Sequence, residues 1–211
     1  QTTVNASPYT TALGYQAANG NTSGTNNTAV GYQALNANTT ASNNTAVGYQ
    51  ASYSNNQSAT TAVGYKAGYT NTGDNELVAV GYQALTSSTT GTSNTAVGHN
   101  SLTTNSTGNN NTAVGSACLY DNSTGSQNTA FGRLALRYTT ASNNTGVGYR
   151  ALYANNSGAS NVAMGESALA SNTTGSFNVG FGREAGFSNT TASQSTAIGY
   201  QALYNNATGS M

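Results

Sequence analysis

Twelve glycines recur along this chain at a nearly constant interval: Gly14, Gly31, Gly48, Gly64, Gly81, Gly98, Gly115, Gly132, Gly148, Gly165, Gly182 and Gly199. Every spacing is 17 residues except two of 16, from Gly48 to Gly64 and from Gly132 to Gly148. A fixed period of this size marks a stack of identical supersecondary units, each touching only its neighbours. The expected fold is all-β: a parallel β-roll or β-solenoid of twelve coils of ~17 residues. It forms one repeat domain over residues 1–211, with a lead-in at 1–9 and coils centred on Gly14 to Gly199. Such a stack gives length. It is poorly suited to presenting one unique constellation of reactive groups.

Aligning the coils on these glycines turns the sequence into columns. The residue before the glycine is always large and apolar, from Leu13 and Val30 to Phe131, Met164, Phe181 and Ile198. The column before that is Ala in ten coils and Gly in two, Gly146 and Gly180. Thr stands three places before the glycine in nine coils, and Asn precedes it in eight. The motif N-T-A-V-G therefore has the period-two alternation of a short strand. Restriction of one column to the two smallest side chains implies close approach of another backbone, so a strand buried on both faces is expected. After the glycine, two consecutive columns tolerate charge, which makes Gly-Tyr-Gln an exposed corner. A small residue and then Leu (Leu35, Leu85, Leu119, Leu203) mark a second inward segment, and an Asn/Thr/Ser/Gly loop closes the coil.

Composition narrows the function classes. Five basic and five acidic residues cancel, which gives no electrostatic reason to expect nucleic acid or an anionic membrane as partner. Charged residues make up 5% of the chain, far below the roughly 25% of ordinary domains, and Asn, Thr, Ser, Gly and Ala dominate. That composition alone suggests low-complexity disorder, but disorder would not restrict columns. No apolar run approaches the length of a membrane span, and no signal peptide opens the chain, so Gln1 is expected to follow a processing cut or to begin a fragment. One Cys excludes an internal disulfide framework.

Each coil buries only about two large apolar side chains, little to set against the backbone entropy of its residues. Self-association that covers the Ala/Gly face supplies the missing burial. A homotrimer is the simplest closed arrangement.

The columns resemble the head repeats of trimeric autotransporter adhesins, the YadA-like heads, which read G-x-x-S-V-A-I-G followed by x-x-A. Gly158-Ala159-Ser160-Asn161-Val162-Ala163-Met164-Gly165 with Ala168 keeps that register, as does Gly175-Ser176-Phe177-Asn178-Val179-Gly180-Phe181-Gly182 with Ala185. The resemblance runs from about Thr10 onward and implies a trimeric, left-handed parallel β-roll with two short strands per coil. The coils here are longer, Thr usually replaces the first Val, and Asn replaces Ser. Arrays of N-T-A-V-G-Y-Q-A-L are also similar to repeats of phage tail fibres and large bacterial surface proteins.

Few residues suggest chemistry. His99, the only histidine, sits in the corner column without converging partners for a triad or a metal. Cys118 occupies the small-residue column and is expected to be a small buried residue, with the alternative that its three copies approach one another in a trimer. Glu166 and Arg183 share the corner column of adjacent coils and are expected to pair on the surface. Asp74 and Glu76 suggest at most a loose cation loop, without the recurring motif of calcium-binding rolls. No catalytic, cofactor-binding or metal residue is therefore assigned. The surface-contact candidates are Tyr15, Tyr32, Tyr49, Tyr65, Tyr82, Tyr149 and Tyr200, with Tyr53, Tyr69, Tyr120, Tyr153 and Tyr204 in a second file. Aromatic rings among Asn, Gln and Thr suit carbohydrate, and they equally suit stacking on one another. Asn-x-Ser/Thr triplets such as Asn38-Thr39-Thr40 arise readily in so Asn- and Thr-rich a chain.

The function expected is non-enzymatic: a shaft or head segment of an extracellular trimeric adhesin or phage tail fibre, at a cell surface or virion tail. Its partners are itself and, through multivalent weak contacts, surface glycans or host receptors, with no nucleic acid and no membrane insertion. An alternative is a filament subunit that stacks end to end, since neither terminal coil carries a solenoid cap. Ice binding by a flat Thr array is a minor alternative, because Val replaces the second Thr of a Thr-x-Thr pair.

Overall fold

The computed structural model describes residues 9–73 and 76–209. Among them, twelve strands of three residues, from Thr11–Leu13 to Thr196–Ile198, form one parallel sheet. Each strand pairs with the next coil's equivalent: Thr28, Ala29 and Val30 lie beside Thr45, Ala46 and Val47. The register keeps every column in line, so identical residues stack. The chain is an all-β parallel solenoid of about eleven turns.

Hydrogen bonds between coils run all the way round each turn. In the corner Gln33 N donates to Tyr15 O, in the second segment Leu35 N donates to Ala51 O, and in the loop Thr22 N donates to Thr39 O. Among the described residues a second strand exists in only three coils, Ser54–Asn55, Thr70–Asn71 and Ser87–Ser88, which form their own small sheet. Two strands in every coil is therefore a correction. Elsewhere that segment is turned; in every coil, those three included, the Gln and Leu columns adopt left-handed backbone, with φ of 52° at both Gln33 and Leu35 and of 51° and 47° at Gln50 and Ser52. Gly68 and Gly186 take the Leu place in two coils at the same φ sign.

The corner glycines carry the stack for two reasons. Their φ values of 117–137° lie where a side chain is disfavoured. In addition, a Cβ on Gly81 would sit 2.5 Å from the carbonyl oxygen of Gly98 in the next coil. Each interior glycine of the column meets the next one in the same way.

The interior is narrow. It holds the strand Ala column, the small residue after the corner, and the Leu column, all essentially inaccessible to solvent except in the terminal coils, where Ala12, Ala202 and Leu203 are half-buried. A Cβ on Gly146 would stand 3.2 Å from Leu136 Cγ, and one on Gly180 would stand 2.9 Å from Leu169 Cγ. The Ala/Gly column is thus small because the chain's own leucines press on it. Its expected role as the face that meets a second chain is overturned. The strand is buried on one side only, and its other side presents the Thr and Val columns outward.

Two files of buried asparagine complete the core. In the file before the strand, Asn111 Oδ1 accepts from Asn128 N at 3.0 Å, while Asn111 Nδ2 donates to Gly125 O at 2.8 Å. One side chain thereby serves two backbone groups of the following coil, which no apolar residue could do. In the loop file, Asn38 Nδ2 donates to Ala41 O at 3.0 Å and to Asn21 Oδ1 at 3.2 Å. Leu77 interrupts the first file, and its Cδ2 lies 3.4 Å from where a Cβ on Gly68 would be. It fills the space left where that coil has Gly68 instead of leucine.

Candidate surface-contact site

The corner turns the residues at one, two and five places after each glycine onto one surface. Lys66 shows this directly: its Nζ lies 5.6 Å from the Tyr65 ring centroid and 5.2 Å from that of Tyr69. Three adjoining files therefore form the candidate contact face.

Its first half is an aromatic ladder. Tyr15, Tyr32, Tyr49, Tyr65 and Tyr82 stack with centroids 5.0–5.3 Å apart and planes within 15° of parallel. His99 ends the file, 5.1 Å from Tyr82. An amide ladder runs beside it, with Gln33 Nε2 donating to Gln16 Oε1 and Gln50 Nε2 to Gln33 Oε1. The ring faces in this stack are turned to one another, so edges and hydroxyls meet solvent although the residues are exposed. Tyr53 and Tyr69 stack in the second file at 5.3 Å.

Tyr149 and Tyr200 do not belong to that ladder. Each lies beneath an arginine of the preceding coil, Arg133 and Arg183, with the guanidinium carbon 5.8 Å from the ring centroid. In the second file, Arg137 sits 4.8 Å from the Tyr120 centroid and 5.2 Å from that of Tyr138, and Arg150 sits 4.5 Å from that of Tyr153. Tyr138 and Tyr153 meet edge to face, their hydroxyl oxygens 3.3 Å apart. The hydrogen bond from Tyr153, with Arg137 alongside, lowers the Tyr138 phenol pKa, while the same contact raises that of Tyr153. Sequence reading passed over Arg137 and Tyr138. The available signal was the concentration of four of the chain's five basic residues between positions 133 and 183.

Glu166 and Arg183 do pair across coils, at 3.7 Å, with both side chains more than half exposed. Arg183 also reaches Glu184 at 3.3 Å. Cys118 is buried within its own chain, its Sγ donating to Gly115 O and 3.3 Å from Ser101 Oγ. Burial pushes its thiol up to about 11, and no second copy can reach it, which removes the expected route to an interchain crosslink. Asp74 lies outside the described residues; Glu76 is exposed and accepts from Ser93 Oγ at 3.4 Å. Among the described residues no group of three or more His, Cys, Asp or Glu could hold a metal ion. Among the described residues no helix is long and apolar enough to cross a membrane.

No family model matches the chain, and neither a curated protein nor a solved structure resembles it significantly.

Proposed function

We propose that this chain is a non-enzymatic fibre segment, the shaft or head of an extracellular trimeric adhesin or phage tail fibre. It contacts a host surface through many weak, repeated interactions. The observation that carries this reading is the outward side of the twelve-stranded sheet. There an unbroken apolar column runs the length of the stack, from Leu13 through six valines to Phe131, Val147, Met164, Phe181 and Ile198. Leu13 is 52% exposed, Phe181 53% and Ile198 69%. A continuous outward apolar strip of this length, half-buried at its valines and exposed at Phe131, Met164 and Phe181, favours a partner. A second and third copy of the same flat, in-register face close it with cyclic symmetry. The interface thus moves from the Ala column to the Val column, while the trimer and the left-handed winding of the adhesin heads remain the reading preferred.

Sedimentation of the purified chain tests it. A trimer is expected, dissociating when Val97 and Phe181 are both replaced by Asp, and a stable monomer overturns the proposal. A second reading, end-to-end stacking into filaments, rests on the strands Thr11–Leu13 and Thr196–Ile198, each paired on one side only among the described residues. Concentration-dependent growth of rods in electron micrographs supports that reading. The ice-binding alternative uses the same Thr and Val files, and absence of thermal hysteresis removes it.

A further inference from the structure

Coils Gly115 to Gly148 carry a second feature that the trimer does not use. Three arginines, Arg133, Arg137 and Arg150, come together in two successive coils and are laid against the rings of Tyr149, Tyr120, Tyr138 and Tyr153. Among the described residues, the only ion pairs within 4.0 Å belong to Arg183. Asp121 acts on Arg137 through its charge, without an ion pair at that distance. The patch therefore keeps a local excess of positive charge on a chain whose net charge is zero. Arg183 shows the contrast: the same residue type over a tyrosine is neutralised by Glu166 and Glu184.

We infer that the Arg133–Arg137–Arg150 patch is a binding site for an acidic polysaccharide, one whose sugars bear carboxylates. A guanidinium laid on a ring loses freedom before binding and still offers its N–H groups in the fork that matches a carboxylate. Neighbouring tyrosine hydroxyls and ring edges suit the hydroxyls and C–H faces of a pyranose. Nucleic acid fits less well. It demands a long basic track along closely spaced phosphates, and bases need free ring faces, which the arginines here occupy. This inference deepens the fibre reading and rests on it, since a trimer would repeat the patch three times and gain avidity.

Binding of an oligogalacturonate to the full chain tests the site, with neutral dextran and single-stranded DNA as comparisons. The expected result is measurable affinity for the oligogalacturonate and none for dextran. Arg137→Gln with Arg150→Gln is expected to weaken that affinity by about tenfold or more, at unchanged melting temperature. Arg133→Gln, on the exposed rim, should weaken it less and supplies an independent reading if the double variant misfolds. Thr40→Ala, in an exposed loop far along the fibre and outside the contact files, should leave it unchanged. No binding, undiminished binding by both arginine variants, or tighter binding of DNA overturns the inference. Sedimentation separates the two levels: a trimer indifferent to oligogalacturonate overturns the site alone, and a monomer that binds it overturns the trimer alone.

Discussion

The coils from Gly14 to Gly98 and those from Gly115 onward share one backbone and display two different surfaces. In the first set the corner file is five stacked tyrosines and a histidine, and the apolar column beyond Leu13 is valine. In the second set the corner file mixes Ser, Arg, Tyr and Glu, and the apolar column admits Phe131, Met164 and Phe181. Inward places stay small, apolar or amide-bearing in both: the strand column is Ala or Gly throughout, while the Leu place admits Ala18, Ser52 and Gly68 in the first set and only Gly186 in the second. The difference teaches that the inward files and the corner glycine maintain the stack. The outward files are free to carry function, and they diverge where the chain has placed its arginines.

The most severe way to break the shared backbone is a methyl group in the corner. Gly81→Ala should destabilise the solenoid by several kcal/mol, on the order of 3 or more, because the clash is with backbone and φ is unfavourable as well. Gly199→Ala is the matched control, since nothing lies within 4 Å of its Cβ and only φ is strained. Equal melting temperatures for the two variants would contradict the packing account. Next in size, Asn111→Leu should cost about 1–3 kcal/mol by leaving Asn128 N buried without a partner, while Gly125 O keeps its bond from Asn122 Nδ2. Leu77 tolerates the same column only because Gly68 makes room, so denaturant titration should show no comparable loss if the asparagines are mere filler.

The surfaces are separated by smaller effects. Tyr49→Ala removes two stacked contacts and should cost about 1 kcal/mol, whereas Tyr149→Ala, which stacks on no second ring, should cost less. A reversed order in thermal melts would end the distinction between ladder and patch. Smallest of all, Glu166→Gln should cost at most about 1 kcal/mol, and less at high salt, because the pair is exposed. In a spectroscopic titration Tyr138 should ionise at lower pH than an unperturbed phenol, as its lowered pKa requires. Tyr153→Phe should move it back up by removing the hydrogen bond to the phenolate.

Much of this was legible in the residues because a repeat records its own contacts. A column that accepts only Gly, or only Ala and Gly, reports a space too small for more. A column that alternates Tyr, His, Arg and Glu reports solvent. The surface pairing of Glu166 with Arg183 followed from coil spacing alone. What such columns do not report is which neighbour does the crowding. A second chain and the chain's own Leu136 restrict Gly146 alike, so the Ala file was assigned to the wrong face. The patch of Arg137, Tyr138, Arg150 and Tyr153 was also missed, since it spans three columns and two coils and no single column contains it.

The sequence by itself determined the period, the parallel in-register stack, the exposed Tyr-Gln corner and the buried Leu file, because all four follow from spacing and from what each column tolerates. Only the tertiary structure decided which side of the strand faces the core. Period-two alternation sorts residues into two sets without saying which set lies inside, and that choice depends on where the turned Leu segment folds back. It places Ala within and leaves Thr and Val outward.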